Sequence, residues 1–318
     1  MKWRLVLAIV LAALLSFAAL EAPRAQFNGC AAGFCSPIVS AAYVGPGNIT
    51  SGAIAFYSAG RAYNAAYAAS NGSLADLVAT GNGAPVCTLK ALSTGFVNLT
   101  SSACSGQAPA AACAAANGGA CSVTKLYDQT GAGNDVLQAT LANMPGLTFN
   151  AQNGLPCAAG TNNAAVRLAT AGNISQSAPF TGTAVVERTG SFTTLQKIVS
   201  NGANAAAVNF TASANTISGA LGGTAVSLTA TDGAPHAFLE VASATAPLTA
   251  IDSSANTSVS ATGSASLASN QYFMGRSTGV QGLLAGFVCE MGIWPSDLNS
   301  SYQAMLANMR SATVGWNF

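Results

Sequence analysis

Along this chain, short runs of apolar and β-branched residues alternate with clusters of Gly, Asn, Ser and Asp. Residues 183–188 (TAVVER), 195–200 (LQKIVS), 206–211 (AAVNFT) and 224–228 (TAVSL) are such runs. So are 236–241 (HAFLEV), 271–275 (QYFMG) and 286–294 (GFVCEMGIW). Short segments rich in Val, Thr, Phe and Ile and bounded by turn formers read as strands. Their even spacing predicts a sandwich or barrel. Two stretches read as helices. Residues 58–68 (SAGRAYNAAYA) are Ala-rich, with Tyr63 and Tyr67 one turn apart. Residues 297–310 follow Pro295-Ser296. Ser296 is the expected cap, Leu298, Tyr302, Met305, Leu306 and Met309 form an apolar face, and Arg310 suits the C-terminal end. Residues 104–120 (CSGQAPAAACAAANGGA) are low in complexity and read as a surface loop pinned by cysteines.

The longest apolar run is N-terminal. Met1-Lys2-Trp3-Arg4 precedes residues 5–20 (LVLAIVLAALLSFAAL), and small residues follow. A basic start, an apolar stretch and small residues describe a secretory signal peptide. It is read as residues 1–25, with cleavage between 18 and 25. Residues 26–318 then form one domain, and no membrane segment remains. Losing Lys2 and Arg4 turns the net charge of +1 slightly negative.

Charged residues make up only 7% of the chain, against about 25% in ordinary domains. Half of the residues are hydrophobic, which excludes disorder as the main state. Eleven Lys and Arg spread over 318 residues form no basic patch, so nucleic acid is not an expected partner.

Eight cysteines behind a signal peptide read as disulfides. Local spacing favours Cys30–Cys35, Cys87–Cys104 and Cys113–Cys121, which leaves Cys157–Cys289 to join distant parts of one sheet system. Zinc is not expected, because there is no Cys-x-x-Cys and His236 is the single histidine.

At residues 125–136 the chain reads KLYDQTGAGNDV. This resembles the Tyr-Asp-Gln-Ser-Gly-x-Gly-Asn motif of the α-L-arabinofuranosidase B catalytic domain. An early Cys pair, a segment like 55–67, a Cys pair before the motif, and a strand ending in Asn-Gly at 147–155 also match that family. Phe273-Met274-Gly275 and residues 286–297 (GFVCEMGIWPSD) resemble its closing strands. The resemblance is strongest over 30–160 and 270–310. It implies an all-β, concanavalin A-like jelly-roll β-sandwich with a short C-terminal helix, and a secreted, carbohydrate-directed role.

Glycosidases normally use two carboxyl groups across the scissile bond. The family's nucleophile is a mid-domain Glu, placed here near 213–218, yet no Asp or Glu occurs between Glu187 and Asp232. Its acid/base lies in a loop that here reads 276–281 (RSTGVQ), without a carboxylate. The family's adjacent Cys-Cys pair is also missing. Glu240 and Glu290 are the substitute candidates, with Glu187, Asp232 and Asp252 as further carboxylates to place. An ion pair of Glu290 with Arg276 or Arg188 is the structural alternative. By strand alternation Glu240 shares a face with His236 and Phe238. In the motif, Asp128, Asn134 and Asp135 are expected to tie a tight turn at Gly131 and Gly133, with Tyr127 in the core and Gln129 beside it. A structural calcium is the alternative there, and no other metal or cofactor is expected. Tyr272, Trp294 and Arg276 are the candidate sugar contacts, with Tyr43 and Tyr57 as further aromatics.

Three readings follow: an arabinofuranosidase-like glycoside hydrolase acting on terminal arabinofuranose, a non-catalytic glycan-binding module on the same fold, and a structural or adhesion surface protein. The expected partner is an arabinose-containing glycan or another polysaccharide.

Overall fold

Strands covered on both faces show no alternation of exposure, and several strands here are of this kind. All eight residues of one (PHAFLEVA) and all nine of another (FTGTAVVER) are buried or nearly so. The computed structural model describes residues 42–318 except 102, 117–118, 162–165, 190–195, 202–205, 211–215, 220–225, 244, 257–265, 268–270 and 275–284. The signal-peptide reading, Cys30–Cys35 and Arg276 therefore lie outside the described residues.

The first strands are β1 (Ala55–Ser58), β2 (Ser73–Ala79), β3 (Pro85–Lys90), β4 (Cys121–Leu126) and β5 (Val136–Leu137). They are followed by β6 (Gly146–Gln152), β7 (Leu155–Thr161), β8 (Leu168–Thr170), β9 (Gln176–Ser177) and β10 (Phe180–Arg188). Next come β11 (Gln196–Asn201), β12 (Ala206–Phe210), β13 (Thr216–Gly219), β14 (Val226–Thr229) and β15 (Pro235–Ala242). The last are β16 (Leu248–Ile251), β17 (Ser254–Asn256), β18 (Ser266–Leu267), β19 (Gln271–Phe273) and β20 (Ala285–Trp294).

All strand pairings among the described residues are antiparallel. One layer runs β17–β16–β15–β10–β20, with β1 and β7 sharing the far edge of β20. The other runs β14–β13–β12–β11–β19–β8–β5–β4–β2–β3. β6 pairs with both β4 and β7 and joins the layers. Across the interior the Tyr57 and Phe273 rings meet edge to face, 6.3 Å apart. Residues 42–318 form one compact unit, an all-β sandwich as the sequence pattern predicts.

The β10–β20 ladder slips register between Val185 and Val186. Gly286 sits beside that bulge at φ +153°, and a Cβ there would strike the Glu187 carbonyl oxygen. Only glycine fits such an approach.

Among the described residues three bridges are present: Cys87–Cys104, Cys113–Cys121 and Cys157–Cys289. The last spans 132 residues and ties β7 to β20.

Two helical expectations need correction. Residues 58–68 are not one helix: β1 ends at Ser58 and only Ala65–Ala69 is helical. Long-range bonds claim the intervening backbone, since Gln129 Oε1 accepts from Tyr63 N–H at 2.7 Å. The C-terminal helix is Tyr302–Arg310, not 297–310, and Ser296 does not cap it. Instead, Thr181 Oγ1 donates to the Ser296 carbonyl and accepts from Leu298 N–H. Within 104–120, Pro109–Ala115 is a short helix. No helix among the described residues is long and apolar enough to cross a membrane.

Candidate functional site

The loop between β4 and β5 is organised by Asp128. Its Oδ1 accepts from Thr130 N–H (3.1 Å), Thr130 Oγ1–H (2.8 Å) and Phe56 N–H (3.2 Å). Its Oδ2 accepts from Asn134 N–H at 3.0 Å. Asp135 Oδ1 accepts from Asp128 N–H at 2.7 Å. Gln129 donates to the Ser58 and Arg61 carbonyls, and Asn134 Nδ2 donates to the Ile54 carbonyl. Gly131 and Gly133 turn the chain at φ +85° and +80°. The motif thus stitches its loop onto β1 and the segment after it, and protein donors fill the acceptor sites of Asp128. Tyr127 corrects the expectation of a core residue. It is half-buried on the surface, donates to Asp76 Oδ2 at 2.9 Å, and carries Lys125 Nζ 4.1 Å from its ring centre. Lys125 in turn pairs with Asp135 at 2.6 Å.

Glu290 is fully buried and pairs with Arg61, while Arg188 pairs with Asp232. Arg61 Nε and Nη2 donate to the two Glu290 oxygens at 2.5 and 2.8 Å, and Trp316 Nε1 donates at 2.9 Å. The remaining Arg61 donor, Nη1, reaches Asn308 Oδ1 and the Val314 carbonyl. Burial works against the Arg61 charge, but Glu290 and the Tyr43 hydroxyl outweigh it and raise its pKa. Glu290 and Arg61 thereby anchor the C-terminal helix and tail.

Glu240 is 4% exposed and lies on the other face of the same layer. It stands opposite Gly182 on β10, which stands opposite Ile293 on β20. Glu290 stands opposite Val185, on the alternate face. Glu240 projects into the interior between the layers, where a Cβ on Gly219 of β13 would collide with its carboxylate. The pair that the sequence offers is therefore separated by a sheet.

The other carboxylates are engaged. Asp232 pairs with Arg188 (Nε to Oδ1, 2.7 Å), Glu187 accepts from Gln152 Nε2, and Asp297 accepts from Asn299 N–H at 2.7 Å. Asp252 bonds His236 Nδ1 at 2.8 Å and accepts from Ala237 N–H. Burial lowers the His236 pKa, but the Asp252 bond, the Thr231 carbonyl and the charges of Asp252 and Asp232 together raise it. Burial raises the Glu187 pKa.

Three of the aromatic candidates, Trp294, Tyr43 and Tyr57, lie in the core. Trp294 is fully buried and donates to the Thr50 carbonyl at 3.0 Å. Tyr43 and Tyr57 are buried and donate to the carbonyls of Ala62 and Asn134. Tyr272 stands in register with Ala169 and Ser200, and its side chain lies outside the described residues. Among the described residues, clefts of about 190 and 220 Å³ lie along the C-terminal helix and share Tyr302 as a wall. Sequence patterning assigned Tyr302 to the helix's apolar face and gave no sign of the clefts.

No family model and no curated protein sequence matches the chain. Solved structures do match it. A GH54 α-L-arabinofuranosidase soaked with a cyclic sulfate inhibitor is 16% identical, over 83% of this chain and 65% of its own, with a TM-score of 0.56. A mutant GH54 α-L-arabinofuranosidase soaked with 4-nitrophenyl α-L-arabinofuranoside gives 16%, the same two coverages and 0.57. An arabinofuranosidase complexed with arabinofuranosyl-α-1,2-xylobiose gives 17%, 83% and 64%, and 0.53. The chain shares the fold of these arabinofuranosidases. It spans about two thirds of their length, and likeness at this identity speaks for the fold alone.

Proposed function

We propose that this protein is a secreted, disulfide-stapled carbohydrate-binding module on the arabinofuranosidase sandwich, which holds a glycan without cleaving it. One observation carries the reading. A glycosidase holds two carboxyls about 5–5.5 Å or 6.5–9.5 Å apart across one bond, whereas Glu240 and Glu290 stand on opposite faces of one layer. Glu290 is also locked by Arg61 and Trp316. Among the described residues, Asp76, Asp128, Asp135, Glu187, Asp232, Asp252 and Asp297 are bonded to protein donors. Binding asks less of a site than catalysis does, needing a concave surface, an apolar wall and a few hydroxyl partners. The signal-like N-terminus and three disulfides support an oxidising destination.

The test is calorimetric titration of the oxidised protein with arabino-, xylo-, cello- and manno-oligosaccharides. Saturable binding of one class supports the reading. A folded protein that binds none of them, nor the corresponding polysaccharides in affinity electrophoresis, favours the structural or adhesion role instead.

A further inference from the structure

We infer that the two clefts along the C-terminal helix are one binding groove for a short polyhydroxylated chain, with Tyr302 as the ridge between two sugar rings. This rests on the carbohydrate-binding reading above and adds the place and the contacts.

Three features converge there. First, each cleft lies below the ~300 Å³ at which small-molecule sites begin, but together they exceed it. Second, their walls mix apolar and polar groups. Pro247 and Leu248 face one cleft and Leu306 faces the other, while Asn299 and Arg310 supply polar atoms. Sugars present both kinds of surface, with C–H faces beside hydroxyl edges.

Third, the polar atoms match hydroxyl chemistry in particular. In the second cleft the Arg310 side chain stands beside the Asp252 carboxylate, its shielded Nε 4.0 Å from Asp252 Oδ1, too far for a direct bond. A sugar hydroxyl both donates and accepts, so it suits a guanidinium donor beside a carboxylate acceptor, which neither a pure anion nor a pure cation matches. The Asp252 and Arg310 side chains keep 28% and 36% of their surface exposed, so a ligand reaches part of each. The outer sheet face around Tyr127 competes poorly: its hydroxyl, ammonium and carboxylates already satisfy one another, and only Leu137 stands exposed there.

The experiment is titration with arabinohexaose, and with xylo-, cello- and mannohexaose, of wild type, Tyr302→Ala, Arg310→Gln and Leu137→Ser. All four are first checked for an unchanged circular-dichroism spectrum. The expected result is at least a tenfold loss of affinity in both Tyr302→Ala and Arg310→Gln, with Leu137→Ser within twofold of wild type. Where Tyr302→Ala fails to fold, Tyr302→Leu and Arg310→Gln carry the test. Wild-type binding that survives these substitutions overturns the groove and leaves glycan binding standing. Loss confined to Leu137→Ser moves the site to the outer sheet face. Wild type that binds none of the hexaoses overturns both the groove and the reading it rests on.

Discussion

Arg61 and Glu290 are 229 residues apart in sequence and form a fully buried, two-pronged ion pair that joins the segment after β1 to the closing strand β20. Removing one partner of such a pair leaves an uncompensated charge in the interior and costs about 3–5 kcal/mol. Glu290→Gln and Arg61→Met are each expected to lose that much in urea unfolding. Arg61→Met combined with Glu290→Gln is expected to lose less than the sum of the two. Additive losses would contradict the pairing.

Gly219 and Glu240 test the placement of Glu240 between the layers. Gly219→Ala drives a methyl group into the carboxylate and is expected to cost about 1–3 kcal/mol. In a double-mutant cycle with Glu240→Ala, the added cost of Gly219→Ala should largely vanish, a coupling of about 0.5–3 kcal/mol. Zero coupling would place the Glu240 side chain elsewhere.

How much of this could be read beforehand differs between the two residues. Alternation in HAFLEV puts Glu240 on the face of Phe238, and the β pattern and turn spacing predict the sandwich. Alternation does not say which face is interior, because β15 is buried on both sides and carries no polar stripe to mark solvent. Glu290 failed for another reason. Its partner lies in SAGRAYNAAYA, whose Ala content speaks for a helix, while Arg61 is drawn inward by contacts far away in sequence. The Tyr302 groove arises where the helix packs against the Asp252 turn, and no local pattern encodes that meeting.

His236 should make stability depend on pH. Its folded pKa is raised above the unfolded value of about 6.5. The Asp252 interaction is therefore fully present below about 6.5 and is lost as pH rises through the folded value. Asp232, Glu187 and Arg310 are the other charges around this pair. Wild type should melt at a lower temperature at pH 8.5 than at pH 5.5, by more than His236→Gln does. Equal shifts in both proteins would remove His236 as the cause.

The bridges differ in the loops they close. Cys157–Cys289 closes 132 residues and Cys113–Cys121 only 8. In the chain-entropy account the longer loop contributes more, about 4–5 kcal/mol against less than about 3. Paired Cys→Ser variants are expected to rank in that order by urea midpoint under non-reducing conditions. The reverse order would show that native contacts, rather than loop closure, set the contribution.

The central claim is that this sandwich binds glycan and does not hydrolyse it, and the most direct measurement is turnover. Folded, oxidised wild type is incubated with 4-nitrophenyl α-L-arabinofuranoside beside Glu240→Gln and Glu290→Gln. The account predicts no nitrophenol release above blank from any of the three. Release by wild type that one substitution abolishes, with the fold intact, would contradict it and show that a carboxylate assigned here to the interior reaches substrate.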